Sequence, residues 1–179
     1  MNILPEIALL AQGFAMCAHR NQRRKYEDAP YVVHCERVAR IVTEYTDDAE
    51  VIAAAMMHDV LEDTDVTAEE MRRVFGDQIT DLVLEVTDVS RPTDGKRAVR
   101  KEKDKEHLAR SSAGGATIKL ADLIDNCLSI ATHDRGFAPV YLREARSRAE
   151  GAEAWRQEAV GTGAGNAERG KRTIGVSFR

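Results

Sequence analysis

His58, Asp59, Glu62 and Asp63 stand close together in an otherwise apolar stretch that runs from Ala53 to Asp63. Read as one helix from Val51 to Glu62, the segment turns about 100° per residue and gathers the four groups into an arc of about 140°. Carboxylates and an imidazole sharing a buried face repel one another unless a cation neutralises them, because unpaired buried charge costs several kcal/mol. A divalent metal is the simplest remedy. Taken alone, the arc is also what the solvent face of an amphipathic helix looks like.

A second polar stripe favours the site. Asp122, Asn126 and Ser129 stand at i, i+4 and i+7 of another helical run, while Leu123, Ile124, Cys127 and Leu128 take its other face. Short polar side chains hold atoms still better than long ones do. His34, opening a helix after the Pro30-Tyr31 turn, is available as a further ligand. His34, His58, Asp59 and Asp122 then make a mixed nitrogen and oxygen set with open positions, which suits Mn²⁺, Fe²⁺ or Zn²⁺ better than Ca²⁺. Glu62 or Asp63 is placed to orient a water or take its proton, a role typically worth about 10²–10⁴ in rate. The basic knot Arg23, Arg24 and Lys25 and the Lys/Arg-rich stretch near Arg100 would offset an anionic substrate. By themselves such runs are ordinary solvated faces.

The elements that must position these groups are all helical. Ile7, Leu10, Phe14 and Cys17 repeat at helical spacing, as do Val38, Ile41 and Val42. Thr67 with Glu70 forms a capping-box pattern that starts a fourth helix, Gly76 ends it, and Ile79, Leu82, Val83 and Val86 mark a fifth. Turn residues occupy Arg91 to Gly95. Lys96 to Arg110 reads as a helix resting loosely on the rest or as a mobile flap, Ser111 to Gly115 as a loop, and Thr117 to Thr132 and Ala138 to Trp155 as two last helices. The expectation is an all-α domain of seven or eight helices over residues 1–160, followed by a basic, Gly-rich, disordered tail over 161–179.

A chain of 179 residues fits one domain. Its 43% hydrophobic and 31% charged content is that of a globular protein, and no apolar run approaches the roughly 18 residues that span a bilayer. The N-terminus lacks the flanks of a secretory signal, so a cytoplasmic address is expected. Cys17, Cys35 and Cys127 are scattered and read as reduced core thiols. The net charge of −4 and the lack of an aromatic platform beside the basic stretches argue against a nucleic-acid partner. His19, His107 and His133 read as structural or surface residues.

The order His34, His58-Asp59, Asp122 is the HD signature. With Ala18 to Lys25, Pro30 to His34, Ala54 to Thr64, Phe75-Gly76, Val86-Thr87 and Ile118 to Asp122, it resembles the hydrolase domain of RelA/SpoT enzymes. The small stand-alone alarmone hydrolases of that group, including the metazoan SpoT homologues, are most alike, over roughly residues 1 to 150. The resemblance implies an HD-domain helical bundle and one metal, usually Mn²⁺, on His34, His58, Asp59 and Asp122. It implies Glu62 and Asp63 at the attacking water, Arg24 and Lys25 at the guanine and phosphate end, Asn126 and Ser129 at the sugar, and Tyr141 closing the pocket. The implied reaction is hydrolysis of the 3′-pyrophosphate of ppGpp or pppGpp to GDP or GTP and pyrophosphate. The alternatives are another nucleotide, such as NADPH, or a nucleotide-binding HD module without turnover. Leu123 and Asp125 depart from that group, which commonly has a basic residue and His or Tyr there. An added carboxylate at 125 repels a phosphate-rich substrate unless it points away or pairs with a cation.

Overall fold

The computed structural model describes residues 4–161. It holds eight α-helices: α1 (Glu6–Ala18), α2 (Val32–Thr43), α3 (Ala49–Met56), α4 (Val60–Asp63), α5 (Ala68–Val86), α6 (Arg97–Leu108), α7 (Ala113–His133) and α8 (Ala138–Gly161). A 3₁₀ turn covers Pro92–Asp94, and no strand occurs among the described residues. None of these helices is long and apolar enough to cross a membrane. The tail expected from 161 lies, beyond Gly161, outside the described residues.

Helix α3 is the centre of the core. Every residue from Val51 to Met57 is buried, with Ala53, Ala54 and Ala55 at 0% exposure, and α1, α2, α5 and α7 pack around it. An all-apolar helix must be enclosed in this way, and its small alanines let the neighbours approach closely. The side of α1 that meets the core is Ala8, Ala11 and Ala15; Leu10 and Cys17, expected on that face, are exposed. Of the three cysteines only Cys35 is fully buried.

The expected single helix from Val51 to Glu62 is broken. It stops at Met56, residues 57–59 form a turn, and α4 resumes at Val60. The ring Nδ1 of His58 bonds the Ala55 carbonyl at 2.9 Å, occupying an acceptor freed where the helix ends. His58 and Asp59 therefore sit on a break, and the single-arc picture does not hold.

Other elements follow the sequence reading more closely. The Thr67–Glu70 capping box is present, and Gly76, at φ 78°, kinks α5 into the two expected pieces. The segment after Gly95 is an ordered helix anchored by buried Asp104, whose carboxylate accepts from Ser90 N–H at 2.8 Å and Ser90 Oγ at 2.9 Å. Ser111 to Gly115 is not a loop throughout. Ser112 caps α7 by accepting from Gly115 N–H, and Gly114 lies inside the helix where a Cβ would stand 3.0 Å from Leu82 and Val51. A second apolar cluster of Leu108, Ala116, Leu120, Leu123, Ala145 and Ala149 fastens α8 to α7.

Candidate metal centre and substrate cleft

His34 lies in the first turn of α2 and His58 in the turn that follows α3, both essentially inaccessible to solvent. Their rings face one another with centroids 5.0 Å apart. His34 Nδ1 bonds Asp125 Oδ2 at 2.7 Å, and His58 Nδ1 bonds the Ala55 carbonyl at 2.9 Å. A carboxylate or a carbonyl can only accept, so each Nδ1 carries a hydrogen, and Nε2 is the nitrogen whose lone pair would face inward once the ring gives up its second proton.

Those two Nε2 atoms are buried without a hydrogen-bond partner. They share two carboxylate neighbours. Asp59 Oδ2 stands 3.5 Å from His34 Nε2 and 3.1 Å from His58 Nε2, and Asp122 Oδ1 stands 3.3 Å and 3.7 Å from them. One donor atom each from His34, His58 and Asp59 falls within a 4.8 Å span. Donors about 2.1 Å from one ion stand about 3.0–3.5 Å apart, so the spacing fits a shared divalent cation. Two imidazoles and two carboxylates are a suitable donor set, and the orphaned Nε2 atoms point to where the ion would lie.

The electrostatics agree. Burial opposes charge on His34, yet Asp122, Asp125 and Asp59 push its pKa up to about 11. Burial also opposes charge on His58, but Asp59 and Asp122 raise it to about 9. Asp59 and Asp122, despite burial, lie well below the usual carboxylate range, Asp59 because of His58 and His34 and Asp122 chiefly because of Lys119. The cluster demands positive charge.

Other residues orient the donors. Tyr31 Oη donates to Asp59 Oδ2 at 2.8 Å. Lys119 Nζ lies 3.3 Å from Asp122 Oδ2, and Asn126 donates to Asp122 Oδ1. Glu62 accepts from Asp88 N–H at 3.2 Å. Glu62 and Asp63 are exposed along the cleft. Partial desolvation of the carboxyl group, with Asp88 and Asp59 nearby, raises Glu62 to about 7; Asp63 is raised by desolvation and Asp59.

Asp59 and Asp122 line a cleft of about 250 Å³. Glu62 and Asp63 lie on its acidic side, Asn126 and Tyr141 also line it, and Arg97, Lys101, Lys119 and Arg148 supply positive charge. A larger cavity of about 730 Å³ opens between α1 and α5 and shares Glu62 and Asp63 as a wall. Arg24 bonds Asn126 Oδ1 at 3.1 Å and so reaches the cleft through it. Lys25 and Ser129 are turned elsewhere: Lys25 Nζ donates to Tyr26 Oη at 3.0 Å, and Ser129 Oγ donates to Glu27 at 2.9 Å. Leu123 is 2% exposed in the α7–α8 core, away from the cleft.

The HD domain matches residues 11–138. The chain belongs to the HD-domain family. As an HD protein it is 42% identical over 121 residues to the mouse guanosine-3′,5′-bis(diphosphate) 3′-pyrophosphohydrolase MESH1, across 66% of each chain. The zebrafish (Danio rerio) MESH1 is 41% identical over 124 residues, across 67% of each. The aligned stretch thus spans about two thirds of these relatives. A solved structure described as a metazoan orthologue of SpoT that hydrolyses ppGpp superposes at TM-score 0.74 and 29% identity, covering 91% of this HD chain and 99% of the other. A Listeria monocytogenes protein, at TM-score 0.56 and 23% identity over 72% of this chain and 92% of its own, shares the fold.

Sequence reasoning missed several site residues. Lys119 sits in the quoted Ile118 to Asp122 motif, and its position one turn before Asp122 was the available signal. Tyr31 stood in the turn beside His34. Asp88 and Arg148 carry no local signal, since only the tertiary fold brings α5, α7 and α8 around one cleft.

Proposed function

We propose that this HD protein is a divalent-metal-dependent phosphohydrolase that removes the 3′-pyrophosphate of ppGpp or pppGpp, yielding GDP or GTP and pyrophosphate. The observation that carries the reading is the pair of buried, unpartnered Nε2 atoms facing Asp59 and Asp122 at the edge of a cleft rich in cations. The MESH1 relatives support the choice of substrate.

His34, His58, Asp59 and Asp122 would hold the ion, Mn²⁺ by preference with Fe²⁺ or Zn²⁺ as substitutes. When bound, a divalent ion lowers the pKa of water from about 15.7 toward about 7 and neutralises phosphoryl charge. In the reaction a water oxygen bonds to the phosphorus next to the sugar 3′ oxygen, and the phosphorus–3′ oxygen bond breaks. The 3′ oxygen gains a proton. Glu62, with a pKa near neutrality, takes the proton from the water, and Asp63 helps to orient it. Arg97, Lys101, Lys119 and Arg148 balance the phosphates, Asn126 and Arg24 face the nucleoside, and Tyr141 borders the pocket. Lys25 and Ser129 join only by leaving Tyr26 and Glu27.

The test is a substrate panel with purified, Mn²⁺-loaded protein, containing ppGpp, pppGpp, NADPH and other nucleotides. Stoichiometric GDP and pyrophosphate from ppGpp is the expected result. Intact ppGpp beside turnover of another nucleotide overturns the substrate, and no turnover at all overturns the enzyme.

A further inference from the structure

We infer that Asp125 is a positioning residue for the metal centre, which it serves by holding His34. This rests on the reading of the His/Asp cluster as a cation site.

Asp125 sits one turn after Asp122 on α7 and is 5% exposed. Its Oδ2 lies 2.7 Å from His34 Nδ1, on the side of the ring away from Asp59 and Asp122. Histidine can bind a metal through either nitrogen, and the hydrogen bond at one decides which is offered. Here Asp125 fixes the hydrogen on Nδ1, stops the ring from rotating, and leaves Nε2 as the only donor facing the cluster. The two histidines are held unequally. His58 leans on a neutral carbonyl, whereas His34 leans on a carboxylate, which makes its ring the more electron-rich donor.

A carboxylate so deeply buried needs compensation. Arg24 Nη2 stands 3.7 Å from Asp125 Oδ2, and Arg37 Nη1 stands 3.6 Å from Oδ1. Arg37 is in turn paired with Glu27, to which Ser129 also donates. The extra negative charge that the sequence places beside the metal stripe is therefore directed away from the cleft and flanked by two guanidinium groups. Asp125 also ties the centre to Arg24, whose guanidinium bonds Asn126 in the cleft lining. Among the described residues, Asp125 is the one carboxylate that bonds His34 Nδ1.

The test measures Mn²⁺ affinity by chelator competition for the wild-type protein, Asp125→Ala and Asp125→Asn, with thermal unfolding in chelator as a folding control. Outer-shell partners of metal-bound histidine are typically worth about 10–100-fold in metal affinity. Asp125→Ala is expected to lose that much, and Asp125→Asn, which keeps an acceptor, distinctly less. Asp125→Ala binding Mn²⁺ as tightly as wild type overturns the inference. Wild type that takes up no Mn²⁺ overturns the cluster itself, a separate failure. Should Asp125→Ala not fold, the nitrogen-15 signals of His34 in Zn²⁺-loaded wild type decide: hydrogen on Nδ1 supports the role, and hydrogen on Nε2 removes it.

Discussion

The backbone N–H of Asp88 donates to Oε2 of Glu62 at 3.2 Å, so the turn after α5 holds the carboxyl group that borders both cavities. Desolvation and neighbouring acids keep Glu62 protonated to about pH 7. A base must be ionised to accept a proton, so turnover should rise with pH along an acidic limb set by this group. A bound cation draws that limb below 7, because positive charge favours the carboxylate. Glu62→Gln should lower kcat about 10²–10⁴-fold and abolish the limb. A kcat–pH profile of both proteins checks this, and an unchanged limb in the variant excludes Glu62 as the base.

Cation binding should expel protons. In the metal-free protein His34 and His58 stay protonated up to about 11 and about 9, and a bound ion needs both rings neutral. Affinity should therefore strengthen as pH rises from 6 toward 9, with net proton release at pH 7. Calorimetry in buffers of different ionisation enthalpy counts those protons.

The same shifts govern stability without metal. Both imidazoles have folded values above their unfolded value of about 6.5, so their contribution is full below that pH and is lost as pH rises through about 9 to 11. Chelated protein should unfold more easily at pH 10 than at pH 6. Metal at 100 times its Kd adds about 2.7 kcal/mol. Melting curves at both pH values, with and without Mn²⁺, test the sign.

Arg148 is 9% exposed, lines the cleft, and has an Nε without a partner. Hydrogen bonds to charged groups are worth about 1.5–3 kcal/mol, so Arg148→Met should raise KM for ppGpp roughly 10–100-fold. kcat should change less, since Arg148 is not among the groups proposed to handle the water. Steady-state kinetics separate the two, and a loss confined to kcat would place Arg148 in the chemical step instead.

The helices were legible because their signals are local. Thr67 and Glu70 cap α5, Gly76 kinks it, and each does so through neighbours a few residues away. The HD residues were legible as types in order, but the break at 57–59 was not. An apolar run through Met57 reads as continuous helix, and only the bond from His58 to Ala55 shows where it stops. Leu123 and Asp125 looked like faults in the site because sequence spacing does not say which way a residue on a largely buried helix points. The fold gives Leu123 to the α8 contact and Asp125 to His34. The same limit hid Arg148, which approaches the donors only through the docking of α8 on α7.

The break between α3 and α4 also divides the site by permanence. His58 sits in the turn just after a helix whose alanines are sealed at 0% exposure, whereas Glu62 and Asp63 belong to a four-residue helix and are exposed. Amide deuteration should be slowest from Ala53 to Met57, where opening requires loss of the whole core, and much faster across Leu61 to Asp63. The proposed grip on an ion is thus anchored in the part of the molecule that yields last, and the acids proposed to handle the water are mounted where local breathing is easy.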